Sequence, residues 1–398
     1  MTATPVDTGD APVWARADAF PAAPSGWGWA DAKGNRHPVA NEAELAETIR
    51  SDRASAVDLV WTPDSPRMVV PEEVPALFRA LHTARRRWVA ADLDHAQGQL
   101  KIFGTGVLAI IGWTLWQHLP LLKSTLTGAA LVVFVMFALI PWYQAWKRGR
   151  ELIRWDSAGM QAAVPVLRFE TWLNLQRAPI TRLLAGLFCV VGLAQMAIRG
   201  HSLEAAGLVK FAYRHGEYWR LLTAPMLHGH PLHWFMNMGA LLYLGRRVEV
   251  FARWPHVPLV FLFAASVGGE ASARFYNATS VGASGGLMGW LGFLLVFETL
   301  HGRLVPRSAR RRLLAGVVVT GIIGLLGYRF IDNAAHLGGL LAGMAYAAIV
   351  FPKSASPHRP SSTLTDRLVG VLSLVTLIGS GAFAIWKIWL AANGASPV

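Results

Sequence analysis

The sequence predicts an all-α polytopic membrane protein with a small N-terminal cytosolic domain. Apolar residues make up 53% of its 398 positions and charged residues only 15%, and the mean hydropathy is +0.36. The apolar residues fall in long runs and do not alternate as they would in half-buried strands. Most of these runs approach the roughly 20 residues that an α-helix needs to cross a bilayer. A formal charge of +13 raises nucleic acid as a partner, but the cations stand between apolar runs and form no continuous basic segment. No nucleic-acid partner is therefore expected. The single cysteine, Cys189, lies within an apolar run, so no intramolecular disulfide or multi-cysteine metal site can form.

Taken in order, residues 1–100 read as the N-terminal cytosolic domain, punctuated by Pro63, Pro66 and Pro71. The opening MTATPVDTGD lacks a basic stretch followed by an apolar one, so no cleaved secretory signal is expected and the N-terminus is placed in the cytosol. Glu72–Gln97 reads as a helix carrying Arg85, Arg86, Arg87 and Trp88, either a solvated face or a headgroup anchor ahead of the first span. Residues 101–147 read as an extra transmembrane hairpin, with spans near 103–119 and 125–146, and 148–179 as a cytosolic linker. Six further runs follow at 180–198, 231–248, 257–276, 282–300, 313–330 and 333–351, then a C-terminal linker and extra helix in 352–398 with its span at 368–391. Trp142, Trp146 and Trp254 stand at span ends, where an amphipathic ring suits the interface.

An N-terminus inside places Lys147, Arg148, Arg150, Arg154, Arg168, Arg177, Arg182, Arg246, Arg247, Arg253, Arg303, Arg307 and Arg310 to Arg312 on the inner side. The outer side receives fewer cations: Lys123, then Arg199, Lys210, Arg214 and Arg220 spread over a longer loop, then Arg274 and Arg329. This is the positive-inside bias.

Three spans then begin on the outer side, and each carries polar residues in its first turns. They are His228, His230, His233 and Asn237 at the first, Gly282-Ala283-Ser284-Gly285 at the second, and Asp332, Asn333 and His336 at the third. Polar groups at that depth are costly unless partnered or functional. Gly285 and Gly289 make a small-xxx-small face just after Ser284, and Gly339 and Gly343 make one just after His336. If the two faces oppose, their helices approach closely and the serine hydroxyl comes within reach of the imidazole, as a nucleophile and its base require. His233 and Asn237 lie four apart on one helical face, each with an N–H to offer a developing oxyanion, and the Ser284 backbone N–H is a further donor.

Each residue also has an ordinary reading. Gly-x-Ser-Gly by itself is a common string, Ser284 alone reads as a packing serine, and His336 alone as a structural histidine; the three spans together favour a site. His228, His230 and His233 could ligate zinc, but no HExxH spacing occurs, so no metal is expected. Asp332 could orient His336 or cap its helix, and the cap is the simpler role. Glu249, close to Arg246, Arg247 and Arg253, reads as a structural ion pair.

These residues resemble the rhomboid family of intramembrane serine proteases. The matching positions are Trp219-Arg220, His228, the string HWFMN from His233 to Asn237, Glu249, GASG from Gly282 to Gly285 and AHLGG from Ala335 to Gly339, over roughly residues 180–351. The resemblance implies a six-helix rhomboid-like catalytic core, with two extra transmembrane helices before it and one after. It implies a Ser284–His336 dyad without metal or organic cofactor, His233 and Asn237 as the oxyanion pair, and His228, Arg220 and Glu249 as structural positions. It further implies a site open to the outer side and single-span membrane proteins as substrates. The alternative within the same likeness is a non-catalytic protein that binds transmembrane helices; a transporter fits less well, because the polar residues cluster near one face. One position departs from the pattern: Met288 stands where many active members carry an aromatic residue that stacks on the histidine. With no transit peptide in the sequence, a bacterial cytoplasmic membrane is expected.

Overall fold

The computed structural model describes residues 10–51, 57–198 and 202–394. The opening residues read above for a signal and Arg199 of the outer loop lie outside them. Contacts divide the chain into two units. One takes the chain up to Leu175 together with Val318–Ile331, and the other takes Gln176–Val317 and the chain from Asp332 onward.

The first unit begins with a small sheet that the all-α expectation did not include. Strands β1 (Trp27–Ala30), β2 (Arg36–Val39) and β3 (Leu59–Trp61) pair antiparallel in the order β2-β1-β3. The β1–β2 turn is built by Asp31, whose carboxylate accepts the backbone N–H groups of Lys33 and Asn35, both at 2.9 Å. Helix α1 (Glu42–Arg50) is capped by Asn41, which accepts from the Glu44 N–H at 3.0 Å. It lays Leu45 and Ile49 on Trp29 and Val60, and Leu77, Ala80 and Leu81 complete this core.

Helix α2 (Phe78–Trp116) joins the expected helix at 72–97 and the expected span at 103–119 into one element. Nothing between them breaks a helix: the sequence has no proline from 76 to 119, and Gly98, Gly106 and Gly112 face open space. Helices α3 (Thr125–Phe134) and α4 (Ile140–Ile153) are continuous through a π-helical turn at Val135–Leu139. The turn widens just before Pro141, which has no N–H to give to the ladder. The expected linker at 148–179 is mostly helical, since α4 runs to Ile153 and α5 covers Ser157–Leu175. Arg168 of α5 donates twice to Glu73, both at 2.8 Å, and ties the helix to the N-terminal domain.

The second unit holds α6 (Pro179–Ala197), three short helices, α7 (Ser202–Ala206), α8 (Lys210–Arg214) and α9 (Arg220–Thr223), and then α10 (Pro231–Ala252), α11 (His256–Phe275) and α12 (Ser284–Leu300). Helix α13 (Arg307–Leu326) follows, then α14 (Asn333–Val350) and α15 (Leu364–Ala392). The part of α13 beyond 318 packs in the first unit, where Gly128 of α3 leaves room for the Leu326 carbonyl oxygen. All nine expected spans are helical, and six of the helices are long and apolar enough to cross a membrane. Of the remaining three, α12 is apolar but shorter, α10 contains His233, Asn237, Arg246, Arg247 and Glu249, and α13 opens with Arg307 and Arg310 to Arg312. The chain is an integral membrane protein of predominantly helical, polytopic architecture.

Helices α11, α12 and α14 form the closest-packed group. Glycines decide how near they come: a Cβ added to Gly339 would overlap the Gly285 carbonyl oxygen, one added to Gly343 would overlap that of Gly289, and one added to Gly292 that of Leu340. The two faces picked out from sequence therefore oppose each other at backbone contact. Gly268 of α11 meets the α14 backbone likewise, its added Cβ falling 2.6 Å from the Ala335 carbonyl oxygen.

Candidate active site

Ser284 is the first residue of α12 and His336 the fourth of α14, so the glycine-tight contact between these helices starts just beyond both. Ser284 Oγ lies 2.8 Å from His336 Nε2. This is hydrogen-bond distance for a hydroxyl donating to the unprotonated ring nitrogen. Among the described residues, His336 Nδ1 finds no partner. Asp332, one turn earlier, does not reach it: its Oδ1 accepts the Ala335 N–H at 2.9 Å, the N-cap bond of α14. Among the described residues no third member of a triad is present.

The segment entering Ser284 is fixed by backbone bonds. Gly282 donates its N–H to the Ala224 carbonyl at 3.0 Å and has φ +122°, a conformation open to glycine and few others. A side chain there would also meet His233, with an added Cβ 2.5 Å from its Cε1 and 2.9 Å from its Nε2, and Asn237 Nδ2 3.7 Å away. The missing Cβ lets His233 and Asn237 stand against the backbone two residues from Ser284. The buried Asn237 Nδ2 has no acceptor among the described residues. A buried amide N–H without a partner costs free energy, and this one lies beside the Gly282 backbone, two residues from Ser284. The backbone N–H of Ser284, at the start of a helix, lacks an intrahelical acceptor. Met288 follows Ser284 by one turn and is half-buried.

The remaining residues named from sequence surround this group. His228 is buried, with neither ring nitrogen partnered among the described residues, and sits edge-on to Phe188 at 6.1 Å and to His233 at 5.2 Å. Its backbone is held by Gln195, which accepts from its N–H and donates to its carbonyl, both at 3.0 Å. Arg220, buried in α9, donates to Glu217 Oε2 at 2.6 Å and to the carbonyls of Glu204 and Gly207 at 2.9 and 2.7 Å. It thereby cross-links the long loop before α10.

Glu249 corrects the expected ion pair with neighbouring arginines. Its carboxylate accepts the N–H groups of Ile180 and Thr181 at 3.0 and 2.8 Å and the Thr181 hydroxyl at 2.7 Å, which caps the start of α6. Arg247 instead pairs with Glu298 of α12 at 2.7 Å, with both side chains fully buried. The Arg247–Glu298 pair was not read from sequence, because the two lie on different helices far apart in the chain. Glu249→Ala leaves the buried Thr181 N–H and the half-buried Ile180 N–H without acceptors, so a loss of about 1–3 kcal/mol of stability is expected. Thermal unfolding in detergent measures it, and the activity per folded molecule should change little.

The rhomboid domain profile matches residues 215–353, a segment that holds Ser284, His336, His233 and Asn237. The chain contains a rhomboid domain. "RHOMBOID-like protein 6, mitochondrial" of Arabidopsis thaliana is 36% identical over 155 residues, covering 37% of this chain and 50% of that protein. "Rhomboid protease GluP" of Bacillus subtilis is 33% identical over 170 residues, covering 40% of this chain and 32% of that protein. "Inactive rhomboid protein 2" of Homo sapiens is 30% identical over 179 residues, covering 44% of this chain and 20% of that protein. The chain thus spans half or less of the length of these relatives, and both a protease and a protein named inactive are among them. The part of this chain before the matched segment holds the small sheet and α1 to α8.

Proposed function

We propose that the chain is an intramembrane serine endopeptidase that hydrolyses peptide bonds in or near the transmembrane segments of single-span membrane proteins. The observation that carries this reading is the 2.8 Å approach of Ser284 Oγ to His336 Nε2, beside a buried amide donor on Asn237 that has no partner among the described residues. His336 Nε2 takes the proton as Ser284 Oγ attacks the scissile carbonyl carbon. The tetrahedral oxyanion accepts hydrogen bonds from the Asn237 amide, the Ser284 backbone N–H and His233. Collapse breaks the C–N bond, and the protonated His336 hands its proton to the leaving amine. Water, activated by the same histidine, then releases the acyl group from Ser284.

The expected setting is a bacterial cytoplasmic membrane with the N-terminus in the cytosol and the site opening on the outer side. The excess of Lys and Arg in alternate connections supports this orientation. Purified protein in liposomes with a single-span reporter tests the function: two fragments from a cut at or near the reporter's membrane segment are expected. Binding of the reporter without fragments would favour the non-catalytic alternative and defeat the proposal.

Asn237→Ala removes one oxyanion donor. It should lower kcat on the order of 10²- to 10³-fold, leave KM nearly unchanged, and cost little stability because the amide N–H has no partner among the described residues. Steady-state kinetics together with a thermal melt check both parts.

A further inference from the structure

Among the described residues no third side chain orients His336, yet the structure holds a polar cluster directly behind it. Asp332 precedes His336 by four residues and Ser280 precedes Ser284 by four. The Ser280 hydroxyl donates to Asp332 Oδ2 at 2.5 Å. The same carboxylate oxygen accepts from the Ser272 hydroxyl of α11, and Ser272 is completely buried. The buried Lys210, first residue of α8, donates to Ser272 Oγ at 2.5 Å. Ser280 is also fixed through its backbone, exchanging both bonds with Leu208 at 2.9 and 3.2 Å. One carboxylate thus joins the segment leading into the nucleophile, the start of the base's helix, α11 and the long loop before α10.

We propose that Asp332, Ser280, Ser272 and Lys210 form a polar clamp, buried at Ser272 and Lys210, that sets the spacing of Ser284 and His336 from one helical turn behind, with Asp332 a positioning residue rather than a triad member. The inference rests on the proteolytic reading above and names what regulates the geometry of that site. Its logic is mechanical. His336 Nδ1 has no partner among the described residues to hold the ring, so the direction of the imidazole depends on where the α14 backbone sits. The helix contact through Gly285 and Gly339 allows a close approach but can slide along the axis. A hydrogen bond between positions each four before a dyad member fixes that slide. Charge is compensated within the cluster: burial pushes the Lys210 ammonium down to about 8, and the Asp332 carboxylate opposes that shift. The Tyr276 ring stands 5.8 Å from the ammonium.

Asp332→Asn tests this, since asparagine still caps α14 but presents an amide or a carbonyl where both serine hydroxyls donate. The clamp predicts a fall in kcat of about 10- to 100-fold, as misplaced reacting groups cause, with KM and melting temperature close to wild type. Ser280→Ala should give a similar fall, and the double variant should be no worse than either single one. Hydrogen exchange supplies a readout that needs no catalysis: Ser280→Ala should speed exchange at residues 333–337 as well as at 281–285. Exchange that rises only beside the substituted residue overturns the clamp, as does a wild-type kcat in Asp332→Asn. A wild-type protein without any cleavage would defeat the proteolytic reading, while the exchange experiment would still decide the clamp.

Discussion

Replacing Ser284 with Ala, or His336 with Ala, is expected to abolish cleavage of a transmembrane reporter while leaving the protein folded. The expected loss is on the order of 10⁶-fold in kcat for either variant, since members of a nucleophile and base pair act as a unit and removing one disables the other. The double variant should therefore be no slower than the single ones. Neither substitution should unfold the protein. Ser284 and His336 are each only half-buried, and the hydrogen bond between them is one of many that join α12, α14 and their neighbours. Quantifying reporter fragments in liposomes, with circular dichroism and melting as controls, separates chemistry from folding. Residual cleavage in Ser284→Ala above that of an empty vesicle would point to another nucleophile.

The second large effect is structural. Gly339→Val and Gly343→Val should prevent stable packing of α14 on α12, because an added Cβ at either position overlaps a backbone carbonyl oxygen of Gly285 or Gly289. A flexible side chain could swing away, but a carbonyl held in a helix cannot, so the helices must separate. Overpacked cores lose about 1–3 kcal/mol per site even where neighbours can move, and a clash against backbone belongs at or above the top of that range. Separation also draws His336 away from Ser284, so activity should fall before global unfolding is complete. Gly186→Ala on α6 is the control: nothing lies within 4 Å of its added Cβ, and stability should be unchanged or rise by roughly 0.5–1 kcal/mol, as alanine favours helix over glycine. Melting and denaturant unfolding in one detergent compare the three variants directly.

The parts of the molecule that the bilayer dictates were readable from sequence. A chain in lipid must satisfy its own backbone groups, so each apolar run folds as a helix, and all nine runs do. The ends were less legible. The expected break between 97 and 103 does not occur, because polarity changes there without any residue that stops a helix. The N-terminal sheet was missed because its strands are only three or four residues long. Trp27 to Val39, two short runs around Asp-Ala-Lys-Gly-Asn, carried a hairpin signal that could have revealed it.

For the site, Ser284, His336, His233 and Asn237 were legible because glycines and polar residues recur at matching depths on three spans. The geometry brings these four to one place, with His233 and Asn237 separated from Ser284 by the missing side chain of Gly282. Lys210, Ser272 and Ser280 were not legible as a group. Each is an ordinary residue in its own segment, and only the fold gathers them around Asp332. Glu249 was misassigned for a related reason. Nearby arginines suggested a local pair, whereas burial turned the carboxylate to the unpaired N–H groups at the start of α6, and Arg247 to Glu298.

The most direct test of the central claim, that His336 activates Ser284 as a nucleophile, is reaction with a fluorophosphonate followed by mass spectrometric mapping of the adduct. The account predicts a single adduct on Ser284 in the wild-type protein, none in Ser284→Ala, and labelling slowed by orders of magnitude in His336→Ala although the fold is retained. An unlabelled wild-type protein, or equal labelling of Ser284 with and without His336, would contradict it.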